Sequence, residues 1–409
     1  MKKQIAFAFL LSVFALTACG QAANEKPLTN KSSAGKIKTG AEQTEKYLPL
    51  LKGKRVAILA NQTSMIGEET TVDYLLKKGV NFVKIFGPEH GFRGNASAGV
   101  HVNDDIDEKT GIKAISLYGK HNTPTNEELA DVDIVIFDVQ DVGVRFYTYI
   151  NSLQRLMEAC AVNNKEVMIF DRPNPNGFYI DGPILDPKHK SGIGLQPIPI
   201  VHGLTVGEYA HMLNGEGWLK DKVKCKITVI KNANYTHDMP YVLPIKPSPN
   251  LNTEQSILLY PSTCLFEGIY INLGRGTQFP FTVLGAPYLK GKYDFSYTPT
   301  GIKGMAETPL FMNEVCYGID LRNYDTSIFR KTKQINIGWV IELYKASPQK
   351  ENFFKSSLSK EMGTIEKLIG VSDFRQQIID GKSEKEIRAT WEPGLSKYKQ
   401  MRKKYLLYP

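Results

Sequence analysis

Glu89, His90 and Arg93 fall within five residues of one another in Phe86-Gly87-Pro88-Glu89-His90-Gly91-Phe92-Arg93-Gly94. An acid, an imidazole and a guanidinium so closely spaced are equipment for proton transfer and anion binding. Gly and Pro around them fix a tight turn. The apolar run of residues 81–86 just before it reads as a buried strand, so the turn displays its side chains at a strand end. The plain alternative is a solvated loop in which Glu89 caps the next helix. The catalytic reading is favoured because other strands of this half end in the same chemistry.

Two carboxylates flanking a cleft are the usual requirement for glycoside hydrolysis. One must stay protonated, which apolar neighbours promote, and Phe86 and Phe92 flank Glu89. Glu267, Asp138 and Asp171 are candidates for the second carboxylate, and spacing does not choose among them. Each has a structural alternative: Asp171 precedes Arg172-Pro173 and could cap a turn, while Asp138 and Asp141 could pair with Arg145. Metal-assisted hydrolysis is the rival, with His90, His101, His121, His202 and Glu89 as conceivable ligands. No His-Glu-x-x-His or similar ligand spacing occurs, so no metal is expected. A serine hydrolase would want Gly-x-Ser-x-Gly at a strand-to-helix elbow, and the chain has none.

The elements that must position these groups alternate. Short apolar runs at 55–60, 81–86, 113–117, 133–137 and 166–170 are predicted strands. Helical spacing covers 71–78 and 147–163, the latter with Leu153, Leu156, Met157 and Cys160 on one face. Continuous apolar strands separated by helices imply a mostly parallel α/β sheet covered on both faces, of Rossmann-like plan. Ligands of such sheets bind beyond the strands' carboxyl ends. Asn61, Glu89, His90, Tyr118, Asp138, Gln140, Asp141, Asp171, Arg172 and Asn174 fall at those ends. No Gly-rich dinucleotide fingerprint and no Walker sequence is present, so no nucleotide cofactor is expected.

The texture changes near Pro197-Ile198-Pro199. A helix at 205–214, a strand at 226–230 and loops rich in Pro, Asn and Gly read as a second, smaller α/β lobe, residues 204–409, facing a first domain of residues 46–203. Helical segments are predicted at 361–380, 383–389 and 394–408, the last with a basic face.

The 409 residues are 42% apolar and 23% charged, ordinary globular composition. Lys2 and Lys3 precede an apolar run from Ile5 to Ala15 and then Leu16-Thr17-Ala18-Cys19. That order reads as a signal peptide over 1–18, with Cys19 as a lipidated first residue. Polar, small-residue-rich sequence over 19–45 reads as a flexible tether holding a domain near a membrane. The expectation is an exported, lipid-anchored protein facing the periplasm or cell surface. A formal charge of +9 suits anionic polymers such as cell wall. Nucleic acid is not expected, since no binding motif appears. Cys160, Cys225, Cys264 and Cys316 match no metal or redox spacing and read as buried free thiols.

Seven stretches carry a resemblance. They are Gly-Pro-Glu-His-Gly-Phe-Arg-Gly (87–94), Ser-Leu-Tyr-Gly (116–119), Phe-Asp-Val-Gln-Asp-Val-Gly-Val-Arg-Phe-Tyr-Thr-Tyr (137–149), Asp-Arg-Pro-Asn-Pro (171–175), His-Gly-Leu-Thr-Val-Gly-Glu (202–208), Pro-Ser-Pro-Asn (247–250) and Gly-Arg-Gly-Thr (274–277). In this order they closely resemble the NamZ-type exo-β-N-acetylmuramidase family, over about residues 47–409. The resemblance implies two lobes with a cleft between them. It also implies release of N-acetylmuramic acid from the non-reducing end of peptidoglycan fragments, in wall turnover or recycling. Glu89 matches the family's glutamate motif, and Glu267 an acidic position before Gly-Arg-Gly-Thr. Ile269-Tyr270-Ile271-Asn272-Leu273 departs from the family's usual small, polar run with a Ser-Glu pair. That departure motivates the alternative of a surface-anchored wall-binding module with a degraded site.

The expected catalytic set is therefore Glu89, His90, Asp138 and Glu267. Expected substrate contacts are Asn61, Arg93, Tyr118, Gln140, Asp141, Arg145, Tyr147, Asp171, Arg172, Asn174, His202, Asn250 and Arg275. Arg93, Arg145, Arg172 and Arg275 are the candidates to grip the sugar's lactyl carboxylate, because a bidentate Arg–carboxylate pair gives geometric specificity.

Overall fold

Alternate residues of the apolar strands face opposite ways, and both faces are covered. In the computed structural model, which describes residues 35–89, 91–93 and 105–409, Val56, Ile58 and Ala60 pack into one core while Ala57 and Leu59 pack into another. Ile134 and Ile136 divide from Val135 and Phe137 in the same way, as do Met168 and Phe170 from Val167 and Ile169. A strand buried on both faces carries no polar alternation, which is why these runs are continuously apolar.

Twelve strands are formed among the described residues: β1 (Arg55–Ala60), β2 (Met65–Ile66), β3 (Glu69–Thr70), β4 (Asn81–Gly87), β5 (Asp105–Ile106), β6 (Lys113–Ser116), β7 (Ile134–Asp138), β8 (Glu166–Phe170), β9 (Ile227–Ile230), β10 (Val283–Ala286), β11 (Ser296–Tyr297) and β12 (Cys316–Asp320). The main sheet runs β5-β6-β4-β1-β7-β8-β9, all parallel except the antiparallel edge β5. Counting only its parallel strands in chain order gives 3-2-1-4-5-6, the doubly wound Rossmann order. The connecting helices include α1 (Thr44–Leu51), α2 (Thr71–Lys77), α3 (Asn126–Leu129), α4 (Tyr149–Val162) and α5 (Val206–Gly215). Capping boxes start α3 at Thr125 and α5 at Thr205.

After the sheet, α6 (Glu254–Thr263) runs into a 3₁₀ turn, Cys264–Gly268. A three-stranded antiparallel sheet, β10-β12-β11, and short helices follow. The mixed α/β class and mostly parallel sheet are as expected. Residues 36–409 form one compact unit. Cys160, Cys225, Cys264 and Cys316 are buried free thiols.

Two local expectations are corrected. The strand at 226–230, read as part of the later lobe, is the edge of the main sheet, with Val167 opposite Ile227 and Phe170 opposite Ile230. The pairing is non-local, so its own sequence does not announce it. The helical stretch 361–380 divides into Thr364–Ile369 and Phe374–Ile379. Gly370 ends the first in the left-handed region, φ 93°, and a Cβ there would meet the Arg145 guanidinium at 2.6 Å. Glycine is required by both conformation and space.

Candidate active site

The turn after β4 is built as its residues dictate. Gly91, at φ 75°, donates its N–H to Pro88 O at 2.8 Å. Glu89, inside that turn, reaches a cavity of about 600 Å³. Tyr118, two residues past β6, donates to Glu89 Oε1 at 3.1 Å, and Thr148 Oγ1 donates to Oε2 at 3.3 Å. Burial, then the charge of Glu89 and this hydrogen bond, push the Tyr118 phenol up to about 12, so it remains a donor at neutral pH.

Glu267 faces the same cavity from the 3₁₀ turn that prolongs α6. Its Oε1 lies 2.5 Å from Arg275 Nη2. Arg275 in turn stacks 5.3 Å over the ring of Phe281. The Glu267 backbone is pinned as well: its carbonyl accepts from Ser356 Oγ at 2.7 Å and from Ser357 N at 3.0 Å. Two carboxylates far apart in the sequence thus share one hollow.

Aromatic rings line it. Tyr147 meets Tyr149 edge-on at 5.0 Å and Tyr260 at 5.9 Å, and Tyr260 meets Phe281 at 5.0 Å. Tyr147 is locked by its hydroxyl to Pro247 O at 2.9 Å. Asn250 anchors its amide to Met305 O at 2.9 Å and keeps a buried Oδ1 without a hydrogen-bond partner among the described residues. Apolar rings with a few fixed polar groups are the usual make-up of a site that orients a small molecule.

Of the expected residues, Glu89, Tyr118, Tyr147, Asn250, Glu267 and Arg275 line this cavity. His90 lies outside the described residues, as do His101 and Cys19. The others lie outside the cavity lining, most of them in buried networks. Asp138 pairs with Arg172 at 2.7 Å and accepts from Thr71 Oγ1 at 2.6 Å. Asp171 accepts from Thr205 Oγ1, Gly207 N and Tyr408 Oη, tying α5 and the C-terminal tail to the sheet. Neither lines the cavity, and the oxygens of both are engaged in the fold. Burial nonetheless pushes Asp171 up to about 6.

Asn61 accepts from Thr63, and Gln140 donates to Asp141 O and Pro173 O. With Ser64, which donates to Asp138 O, they fill the switch-point crevice between β1 and β7. Asn174 donates to Leu204 O at 2.8 Å. His202 Nε2 stands 3.8 Å from Asp141 Oδ2, but the contact is no ordinary ion pair. Burial drives His202 down to about 3 and Asp141 up to about 7.

The arginines are redistributed too. Arg93 makes a bidentate pair with Asp107 at 2.9 and 2.8 Å. Arg145 is fully buried and donates to the carbonyls of Pro183, Ile198, Leu368 and Ile369, so it caps the helix that Gly370 ends. Arg155, which was not singled out, is the arginine that joins Arg275 on the cavity wall. It sits one turn or more into α4, where a lone basic residue looks like any solvated helix position. Thr148, Tyr149 and Tyr260 were also missed. The first two lie in the motif stretch 137–149, which was the available signal; Tyr260, on α6, gave none.

Comparison with known proteins adds kinship to this geometry. The family description "Exo-beta-N-acetylmuramidase NamZ, N-terminal" matches residues 56–255, and "Exo-beta-N-acetylmuramidase NamZ, C-terminal" matches 258–408. The "Peptidoglycan beta-N-acetylmuramidase NamZ" of Bacillus subtilis (strain 168) is 36% identical over 431 aligned positions, covering 100% of both chains. Two crystal structures of DUF1343 family proteins from Bacteroides fragilis NCTC 9343 are similar. One is 46% identical with a TM-score of 0.84, the other 29% identical with a TM-score of 0.74. Each match covers 91% of this chain and 99% of the other.

Proposed function

This chain belongs to the NamZ exo-β-N-acetylmuramidase family, and we propose that it releases N-acetylmuramic acid from the non-reducing end of peptidoglycan fragments. The observation that carries the reading is the pair Glu89 and Glu267 on one aromatic-lined cavity of about 600 Å³.

Glu89 is the general acid. It protonates the glycosidic oxygen as the bond to the anomeric carbon breaks, and Tyr118 and Thr148 hold it in position. Glu267, steadied by Arg275, faces the positive charge that develops on the sugar. It acts directly on the anomeric carbon, through a water, or by orienting the substrate's own acetamido group. The anomer of the first product separates inversion from retention. Arg155 and Arg275 are the cations available to the lactyl carboxylate. The aromatic walls supply apolar faces for the sugar ring.

The location belongs to the same proposal. Lys2, Lys3, the apolar run and Leu16-Thr17-Ala18-Cys19 support export and lipid attachment at Cys19. Labelling with a radioactive fatty acid, lost in Cys19→Ala, tests it.

Incubating the protein with the disaccharide N-acetylmuramyl-N-acetylglucosamine and identifying the products tests the activity. Release of N-acetylmuramic acid is expected. Binding of the disaccharide without release would favour the wall-binding module instead.

A further inference from the structure

The turn that carries Glu89 is bounded by Gly87 and Gly91, which offer no side chain to fix it. Before the turn the chain is held by the sheet, where Gly87 stands opposite Ser116. After it the chain doubles back closely: a Cβ on Gly87 would meet Phe92 N at 2.9 Å. The second foothold of the turn therefore falls to Phe92 and Arg93.

Phe92 is buried in the core that includes Val72 and Leu75 of α2. Arg93 lays its guanidinium 4.5 Å over the Phe92 ring. Its fork then donates twice to Asp107, from Nε to Oδ1 at 2.9 Å and from Nη2 to Oδ2 at 2.8 Å. Arg93 Nη1 lies 3.5 Å from Asp73 Oδ2. Asp73 belongs to the first turn of α2, and Asp107 follows β5 directly. Both acids are braced in turn: Lys109 donates to Asp73 at 2.6 Å, and Thr110 Oγ1 donates to Asp107 at 2.6 Å. Three separate pieces of chain thus meet at one guanidinium.

Burial works against the Asp107 carboxylate, yet Arg93 and Thr110 outweigh it and hold the group below its usual range, so the pair stays ionised at neutral pH. Two cations, Arg93 and Lys109, face two anions, Asp73 and Asp107, so the cluster brings no net charge toward Glu89. Arg93 is not among the residues that line the cavity, and its donors point to carboxylates of the fold. Its contribution is placement. A bidentate fork fixes orientation as well as distance, and moving a reacting group by about 1 Å can cost about a hundredfold in rate.

Resting on the general-acid role proposed above, we infer that Arg93 is a positioning residue for Glu89. By clamping the end of the turn to Asp107 and Asp73, it sets the Glu89 carboxyl at the scissile oxygen.

The test compares two substrates that differ in their need for an acid. The sugar leaving from N-acetylmuramyl-N-acetylglucosamine requires a proton on its oxygen, whereas the 4-nitrophenolate leaving from 4-nitrophenyl β-N-acetylmuraminide does not. A misplaced acid therefore spares the aryl glycoside, and a damaged fold or binding site does not. With Arg93→Met, kcat for the disaccharide is expected to fall at least about tenfold, kcat for the aryl glycoside to stay within about threefold, and both KM values within about twofold. Asp107→Asn weakens the clamp from its other side and should give the same signature, and it supplies the readout if Arg93→Met does not fold. Arg55→Met is the control, because it removes a bidentate pair with Asp133 at the start of β1 and should leave the ratio of the two rates unchanged. Equal losses on both substrates, or wild-type rates on both, from the folded clamp variants would overturn the inference. The signature in Arg93→Met without its counterpart in folded Asp107→Asn would overturn it too, since Arg93 would then act in the site itself. So would the same signature from the control. The underlying reading fails differently: Glu89→Gln losing both substrates equally would remove the general acid, and a wild-type protein that cleaves neither would remove the activity.

Discussion

Tyr118 donates its hydroxyl to Glu89 Oε1 at 3.1 Å, from the neighbouring strand end of the parallel sheet. The contact exists because β4 and β6 are paired, with Gly87 opposite Ser116, so the two loops leave the sheet side by side. Tyr118→Phe removes one donor and leaves the ring in place. As Glu89 gives up its proton it becomes a carboxylate, and a side-chain donor to a charged group contributes about 1.5–3 kcal/mol, so kcat is expected to fall roughly ten- to hundredfold with KM little changed. Steady-state kinetics on the disaccharide check this; a KM effect alone would make Tyr118 a binding group.

Arg155 is a cavity-wall cation on α4. Burial lowers its affinity for the proton, with Glu158 opposing. If it meets the lactyl carboxylate, Arg155→Gln should raise KM about tenfold or more for substrates with a terminal N-acetylmuramic acid. Inhibition by N-acetylmuramic acid should weaken in parallel, while inhibition by N-acetylglucosamine should stay the same.

Asp138 and Arg172 are a stability feature. With side chains 0% and 3% exposed, they form an ion pair away from the cavity. Arg172→Met leaves the carboxylate buried and uncompensated, which costs about 3–5 kcal/mol. Urea unfolding should report that loss. A lost activity with unchanged stability would instead put the pair in the chemistry.

Asp141 gives a pH test. Burial raises its folded pKa to about 7, above an unfolded value near 4. Its stabilising contribution is complete below about pH 4 and is lost as pH rises toward 7. His202 works oppositely. Its folded value, about 3, lies below an unfolded value near 6.5, so its contribution grows as pH rises between them. The two effects mask each other in the native chain. Asp141→Asn removes the first, so its stability relative to wild type should climb by about 1.4 kcal/mol per pH unit between pH 4 and 7. Urea midpoints across that range check the slope.

These cases mark what residue types and spacing could convey. The five expected strands of the first half were legible because strands buried on both faces must be apolar throughout. Glu89 and Tyr118 were legible from their turns. The strand ends after β1, β7 and β8 misled, because a polar group there can serve a ligand or the neighbouring loops. Asp138, Asp171 and Asn174 took the second course. Arg145 looked like a carboxylate clamp, yet its partners are four backbone carbonyls that no sequence pattern encodes. Arg155 and Tyr260 were hidden because helix positions reveal their face only after packing. The place of Ile227–Ile230 depended on a strand some sixty residues earlier.

The most direct test is turnover by Glu89→Gln, with circular dichroism and melting temperature confirming an unchanged fold. Release of N-acetylmuramic acid from the disaccharide is predicted to fall at least about a thousandfold, since the amide has no proton to give the leaving oxygen. Near-normal release by the folded variant would contradict the account.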